Sequence, residues 1–197
     1  MSEWNPPVPP RRPVLSVIGS ASPLEPAVEN LCLELGRRAI EAGFRLVTGG
    51  LTGVMTAVSK GARSAPAWRE GDILGVLPSY DRSTANPFVD VSIPTGLQLG
   101  RNVIVVAMAD VIIAVGGGSG TLSELALGWQ LGKPIIVLES AGGWAELLGN
   151  RCLDHRHSER IQETSTPEEA IRLALSCLER TPQEPGSIGS GWRRSSA

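Results

Sequence analysis

The stretch from Val111 to Leu138 constrains the fold most, because two apolar runs flank a glycine-rich turn and a helix-like segment. We interpret it as a buried strand over Val111–Val115, a turn over residues 116–121, a helix and a second buried strand over Ile135–Leu138. Glycines permit positive φ and close approach of a ligand, and a helix that begins directly after the turn directs free N–H groups towards an anion. The pattern predicts an anion-binding turn between two parallel strands.

The same alternation of strand and helix patterns fills the rest of the chain. A helical apolar spacing begins at Pro26, and a last helix is predicted from Thr166 to about Leu178. This βαβ alternation predicts a single α/β domain over residues 14–180, with a doubly wound, mostly parallel sheet of about seven strands and helices on both faces. The remaining predicted strands are Val14–Ile18, Arg45–Val47, Ile73–Leu77, Val89–Ile93 and the more weakly patterned Arg160–Glu163.

The two ends of the chain differ from its middle. Residues 1–13 are rich in proline, and residues 181–197 contain almost no apolar side chains, so both are predicted to be disordered. The net charge of −2 provides no basic surface for nucleic acid. No apolar run is long enough for a membrane span, and the N-terminus has no secretory apolar region. Three widely spaced cysteines fit a reducing compartment, so we expect a cytoplasmic protein.

The glycine-containing loops of this chain follow three of the predicted strands. Ligands of doubly wound sheets bind beyond the carboxyl ends of the strands, so these loops are expected at one edge. The alternative is that the glycines serve tight turns and packing alone. The predicted ligand-binding residues in these loops are Gly19, Ser20, Gly49, Gly50, Gly53, Met55, Gly116, Gly117, Gly118, Ser119, Gly120 and Thr121.

Two charged residues are predicted to join this site. Arg101 precedes an apolar helix over Val103–Ala109 that leads into the fifth strand, so it is expected at the same edge, where it could clamp a phosphate or oppose Glu124. Glu124 is placed in the first turn of the helix after the glycine loop. A carboxylate repels a phosphate, so Glu124 is expected to face another part of the ligand. The alternative for Arg101 is a local surface ion pair.

Several familiar sites are excluded by the sequence. No Walker-type phosphate loop is present, and no G-x-G-x-x-G follows the first strand. A pyridoxal phosphate site is excluded because Lys133 is expected at the opposite edge and Lys60 on a solvated helix face. Cys152, His155 and His157 fit no structural zinc spacing, so no metal site is predicted.

Two motifs resemble a known family over roughly Val14–Ala174. GGLTGVM at residues 49–55 is similar to the GGxxGLM signature, and GGSGTLSE at residues 117–124 to the PGGxGTxxE signature, of the LOG-like Rossmann superfamily, formerly called lysine decarboxylases. Its cytokinin-activating members split a nucleoside 5′-monophosphate into base and ribose 5-phosphate. The resemblance implies that the amides of residues 116–121 hold the phosphate. It also implies that Arg101 and Glu124 act catalytically near the ribose, without a cofactor.

Two positions depart from the enzyme subgroup and resemble another branch. Gly116 stands where the enzymes have proline, and Asn102 where they have lysine, and the surrounding segments resemble the molybdenum-cofactor carrier proteins. This branch implies a carrier or storage protein for molybdenum cofactor, whose metal needs no protein ligand. Molybdoenzymes or cofactor-synthesis proteins are then implied partners. A phosphoribohydrolase acting on an AMP-like nucleotide, and a nucleotide sensor without chemistry, stay open as alternatives.

The segment Val103–Ala109 also bears on assembly. It is apolar nearly all round, so it is expected to be buried within the fold or at a subunit contact. Members of the family are typically oligomeric, so the resemblance implies a homo-oligomer, either a dimer or a tetramer.

Overall fold

The computed structural model describes residues 11–155 and 159–180, which form one seven-stranded sheet with six α-helices. The strands are β1 (Val14–Gly19), β2 (Arg45–Thr48), β3 (Ile73–Leu77), β4 (Val91–Pro94), β5 (Val111–Val115), β6 (Ile135–Leu138) and β7 (Gln162–Thr164). The helices are α1 (Pro26–Glu41), α2 (Val54–Arg63), α3 (Asn102–Met108), α4 (Ser119–Gln130), α5 (Gly143–Leu148) and α6 (Pro167–Arg180).

The strand order explains where a crevice forms. The order across the sheet is β4-β3-β2-β1-β5-β6-β7, and each neighbouring pair is parallel. Connections therefore leave β1 in one direction and β5 in the other, which opens a gap beyond the carboxyl ends of these two strands. The predicted α/β doubly wound fold is confirmed, and the sheet is parallel throughout.

Helices cover both faces of the sheet, as predicted. Alternate residues of the strands contribute to two separate apolar clusters, one with α1, α2 and α6 and the other with α3, α4 and α5. Helices α1 and α2 approach closely because both contact points are glycines. A Cβ at Gly36 would overlap the backbone of Val58, and one at Gly61 would overlap the backbone of Leu33.

Two strands begin later than predicted, each for an identifiable reason. Strand β4 begins at Val91 rather than Val89, because the Asp90 carboxylate accepts hydrogen bonds from the Ile73 amide and the Trp68 indole. Strand β7 begins at Gln162 rather than Arg160, because Ile161 pairs with the backbone of residues 150 and 151 instead of with the sheet. Both contacts are distant in sequence or irregular, so the apolar pattern did not reveal them.

The described part of the predicted disordered N-terminal segment is anchored at the amino edge of the sheet. Arg12 donates hydrogen bonds to the carbonyls of Gly43 and Phe44 and pairs with Asp72, and Arg11 lies 2.6 Å from Asp110. Residues 1–10 and 181–197 lie outside the described residues, as does His157. None of the helices among the described residues combines the length and apolar character that a bilayer crossing requires.

Candidate functional site

A cavity of about 360 Å³ opens beyond the carboxyl ends of β1 and β5. It lies at the point where the strand order reverses, between the loops that follow β1, β2 and β5. A 3₁₀ turn over Gln98–Arg101 closes one side, and the first two turns of α4 close the other. Its walls are formed by Val17, Ile18, Gly19, Ser20, Ala21, Gly49, Leu51, Met55, Leu99, Arg101, Asn102, Gly118, Ser119, Gly120, Thr121 and Glu124.

The amino end of α4 supplies free amides to this cavity. The helix begins at Ser119, Gly118 caps it without a side-chain hydrogen bond, and its first backbone bond runs from the Leu122 amide to the Gly118 carbonyl. The N–H groups of Ser119, Gly120 and Thr121 therefore have no partner within the helix. Together with the helix dipole they favour a negatively charged group at this point of the cavity.

The helix starts inside the predicted glycine loop, which changes the place of Glu124. It lies in the second turn of α4, and not in the first as the sequence suggested. Gly116 and Gly117 remain outside the helix with φ of +59° and +96°. Their carbonyls accept hydrogen bonds from the amides of Ala145 and Trp144 at the start of α5. These two glycines therefore support the turn from behind and do not face the cavity.

The Thr121 side chain explains why one of these positions is glycine. Thr121 is buried and borders the cavity, and a Cβ at Gly117 would overlap its side chain. The positive φ of Gly117 is a second reason, since side chains disfavour that backbone conformation. The Gly117–Thr121 pair thus packs the turn tightly against the first turn of α4.

The guanidinium of Arg101 packs against Gly49, directly after β2. It is only 9% exposed, and a Cβ built on Gly49 would lie 2.6 Å from its Cζ. Any side chain at position 49 would therefore displace the guanidinium group. Arg101 Nη1 lies 3.5 Å from Glu124 Oε1, and no hydrogen bond joins the guanidinium to another described residue. Most of its five N–H donors are free to meet a ligand.

Burial dominates the electrostatics of this pair. Desolvation raises the pKa of Glu124 to about 7, and the attraction of Arg101 opposes that rise only in part. Desolvation also lowers the pKa of Arg101, against the attraction of Glu124. Burial therefore disfavours the charged form of both side chains relative to water. The predicted alternative of a surface ion pair is wrong, because both side chains are buried in the cavity wall.

Close packing and hydrogen bonds hold the loop after β2 in place. Gly53 has a φ of +63° and packs on the backbone of residues 20–22, and the Val54 amide donates to the Ser20 carbonyl. Asn86 is buried beneath the loop. Its backbone amide donates to the Gly50 carbonyl, and its Nδ2 donates to the Leu51 carbonyl at 3.0 Å. Asn86 therefore holds in place the loop after β2, against which the Arg101 guanidinium packs.

The structure brings most of the predicted binding residues together. The cavity is bordered by Gly19, Ser20, Gly49, Met55, Arg101, Gly118, Ser119, Gly120, Thr121 and Glu124. The predicted residues that lie behind its walls are Gly50, Gly53, Gly116 and Gly117. The prediction missed the supporting Asn86 and six residues that line the cavity, which are Val17, Ile18, Ala21, Leu51, Leu99 and Asn102. Only the adjacency of Leu99 and Asn102 to Arg101 pointed to those two residues.

Two other expectations concern residues away from the cavity. Lys133 precedes β6 at the opposite edge, as expected, where its Nζ donates to the carbonyls of Ala107 and Ala109. Lys60 is exposed on α2. No group of three acidic, histidine or cysteine side chains within the described ranges is arranged to hold a metal ion.

A family model matches most of the described chain. The model is that of the SLOG cluster4 family, a LOG-like family, and it matches residues 12–171. The chain belongs to the SLOG cluster4 family. The match includes both glycine motifs and every residue that borders the cavity.

Two solved structures are similar over nearly their whole length. The molybdenum cofactor binding protein from the phototrophic bacterium Rippkaea orientalis is 33% identical, with 85% of this chain and 98% of that chain covered and a TM-score of 0.74. The molybdenum cofactor carrier protein from Chlamydomonas reinhardtii is 29% identical, with 86% and 100% covered and a TM-score of 0.70.

Three curated relatives carry the name of an enzyme, cytokinin riboside 5′-monophosphate phosphoribohydrolase. The cytokinin riboside 5′-monophosphate phosphoribohydrolase of Mycobacterium tuberculosis is 32% identical over 137 residues, which cover 65% of this chain and 71% of the relative. The chain is therefore similar both to proteins named for molybdenum cofactor and to a protein named for nucleotide hydrolysis.

Proposed function

We propose that this protein binds a phosphorylated small molecule in the cavity at the β1–β5 switch point, as a carrier or storage protein for molybdenum cofactor. The observation that carries the proposal is that the free amides of α4 and the guanidinium of Arg101 open into the same cavity. Both are donors that favour a phosphate. The likeness to two proteins named for molybdenum cofactor supports this choice of cargo.

Different residues of the site would bind different parts of the cargo. The phosphate would accept hydrogen bonds from the amides of Ser119, Gly120 and Thr121 and from Arg101. Glu124 would accept hydrogen bonds from neutral donors elsewhere on the cargo. The apolar side chains of Met55, Leu51 and Leu99 would cover its less polar part.

Reconstitution tests the carrier proposal directly. The purified protein is mixed without oxygen with molybdenum cofactor released from a molybdoenzyme, separated by gel filtration and then exposed to air. The proposal predicts that the cofactor elutes with the protein and still activates a cofactor-free molybdoenzyme after a time in which free cofactor has decayed. Elution of all the cofactor as free small molecule would contradict the proposal. Transfer from cofactor-synthesis proteins to molybdoenzymes is the proposed cellular role.

One observation favours a second function, nucleoside monophosphate hydrolysis. The buried Arg101–Glu124 pair lies beside the proposed phosphate site, where a ribose 5-phosphate would bring its sugar carbons. Cleavage of an N-glycosidic bond develops positive charge on the sugar, and an ionised Glu124 could stabilise that charge and orient water. A panel of nucleoside 5′-monophosphates assayed for free base separates the functions. The carrier releases no base, the hydrolase does, and saturable AMP binding without either activity indicates a sensor.

We further propose that the protein assembles through α3, as a dimer or tetramer. Val105 and Val106 on this helix are fully buried against the sheet, whereas Val103 is 46% exposed. Leu99 and Leu97 in the preceding turn are 82% and 54% exposed. Leu99 also borders the cavity, and exposed apolar side chains so close in sequence are typical of a subunit contact.

A further inference from the structure

Glu124 is the one acidic side chain among the described residues that border the cavity, and Arg101 is the one basic side chain. Glu124 is also the only titratable residue of α4, and the elements β1, β5, β6 and α3 that pack against this helix contain none. Helix α5 contributes Glu146, which is exposed and does not border the cavity. The Asp154 carboxylate accepts from the Trp129 indole, more than a turn beyond Glu124. Arg101 is therefore the charged group that acts on Glu124.

An anion bound to Arg101 would lie close to Glu124. Arg101 Nη1 lies 3.5 Å from Glu124 Oε1, and both side chains are buried. An anion oxygen that accepts a hydrogen bond from this nitrogen would lie within about 6.5 Å of the carboxylate. The anion would repel the ionised carboxylate, and it would also occupy the guanidinium whose attraction favours that ionised form. Both effects favour a neutral Glu124 when the site is filled.

We propose that Glu124 takes up a proton when an anion binds in this cavity, so that binding weakens as the pH rises. The inference rests on the anion site of the proposed function and adds control of its occupancy by pH. The proton comes from solvent and joins a carboxylate oxygen of Glu124, and no other covalent bond changes. A protonated carboxyl donates one hydrogen bond and still accepts others, so it retains the acceptor role proposed for Glu124 above.

The pKa of Glu124 determines the pH range of this effect. Burial raises that pKa to about 7, and a bound anion would raise it further. Below pH 7 the carboxyl is already mostly protonated, so binding takes up little. Between pH 7 and the higher pKa of the complex, each bound anion takes up a large part of one proton. Affinity should therefore fall over that range as the pH rises, by about tenfold per pH unit at most.

Calorimetric titration with inorganic sulfate tests this inference, because the charge of sulfate, unlike that of phosphate, stays constant near neutral pH. Affinities are measured from pH 6 to pH 9, and two buffers of different ionisation enthalpy at pH 8 give the number of protons taken up. We expect wild type to take up about 0.5–1 proton per sulfate and to bind roughly tenfold more weakly at pH 9 than at pH 7. Glu124→Gln should take up none and lose the pH dependence. Glu146→Gln, the control, should behave as wild type.

The outcomes separate this inference from the proposed function. Sulfate binding to wild type without proton uptake, or with equal uptake in Glu124→Gln, would overturn the role of Glu124 while the anion site stands. Absence of sulfate binding to wild type at pH 6 would overturn both. If Glu124→Gln does not fold, Glu124→Ala replaces it, because loss of the carboxyl should abolish the uptake equally. The proton count of wild type needs neither variant.

Discussion

At the scale of single residues, the Arg101–Glu124 pair is unfavourable for stability and favourable for binding. The two charged groups lie 3.5 Å apart and are buried, and desolvation outweighs their mutual attraction in the pKa of each. A buried pair without further hydrogen bonds contributes little to the free energy of unfolding. A phosphate would supply the partners that Arg101 lacks. Ligand binding is therefore the role that we propose for this pair, since folding alone gains little from it.

Glu124→Gln should remove a pH dependence of stability. The carboxyl pKa is raised from 4.5 to about 7 in the folded protein, so the folded state holds its proton more tightly than the unfolded state. Stability should therefore fall as pH rises between these two values. Across that window we expect wild type to lose on the order of 3 kcal/mol more than the variant. Urea unfolding at several pH values measures this, and parallel curves for the two proteins would contradict it.

Gly49→Ala should weaken phosphate binding by displacing Arg101. The added methyl group would overlap the guanidinium, and loss of a charge-assisted hydrogen bond costs about 1.5–3 kcal/mol, or roughly tenfold or more in affinity. Gly100→Ala is the matched control, because its Cβ would meet only Leu97 at an ordinary 3.7 Å. Calorimetry with inorganic phosphate compares the two variants. Equal phosphate affinities of Gly49→Ala and Gly100→Ala would contradict a role in binding for the contact between Gly49 and Arg101.

At the scale of elements, apolar runs were sufficient to predict the sheet, but not the details that shape the site. Strands β5 and β6 have the predicted bounds because their side chains are buried on both faces. The start of α4 could not be located, because Gly118 caps it without the side-chain signal of Ser, Thr, Asp or Asn. Asn86 was missed because it reaches the Leu51 carbonyl across 35 residues of chain.

Asn86→Ala should loosen the loop after β2. The change removes the Nδ2 donor to Leu51 and the Oδ1 acceptor for the Phe88 amide, which leaves the Phe88 amide unpaired and the Leu51 carbonyl with only its bond from the Thr56 hydroxyl. We expect a loss of about 1–3 kcal/mol in the free energy of unfolding, with weaker phosphate binding through Arg101. Asn86→Asp would place a carboxylate oxygen about where Nδ2 lies, 3.0 Å from the Leu51 carbonyl oxygen and buried, so its loss should be at least as large. Urea unfolding with both variants as stable as wild type would refute this role.

At the scale of the whole molecule, the reversal of strand order between β1 and β5 brings together loops that are far apart in sequence. The α/β alternation predicted that the loops after β1, β2 and β5 share one edge, and the cavity walls include residues from all three. The sequence alone could not show which glycines face the cavity and which support it from behind. That distinction depends on α5, which packs beneath Gly116 and Gly117.

Val103→Glu should disrupt the proposed assembly without unfolding the subunit. Val103 is exposed on α3, so a carboxylate there meets water in the free subunit but would be buried at a subunit contact. Leu175→Glu is the control, because Leu175 is 39% exposed on α6 at the other face of the sheet. Sedimentation equilibrium should show oligomeric wild type and control and a monomeric Val103 variant. A monomeric wild type would contradict the assembly.

The proposed phosphate site lies where the amides of α4 meet Arg101. A crystal structure of the protein grown with molybdenum cofactor or inorganic phosphate would show whether a phosphate occupies it. We predict that the oxygens of one phosphate group accept hydrogen bonds from the Ser119, Gly120 and Thr121 amides and from the Arg101 guanidinium. A phosphate bound elsewhere in the molecule, with this cavity filled only by water at saturating ligand, would contradict the claim.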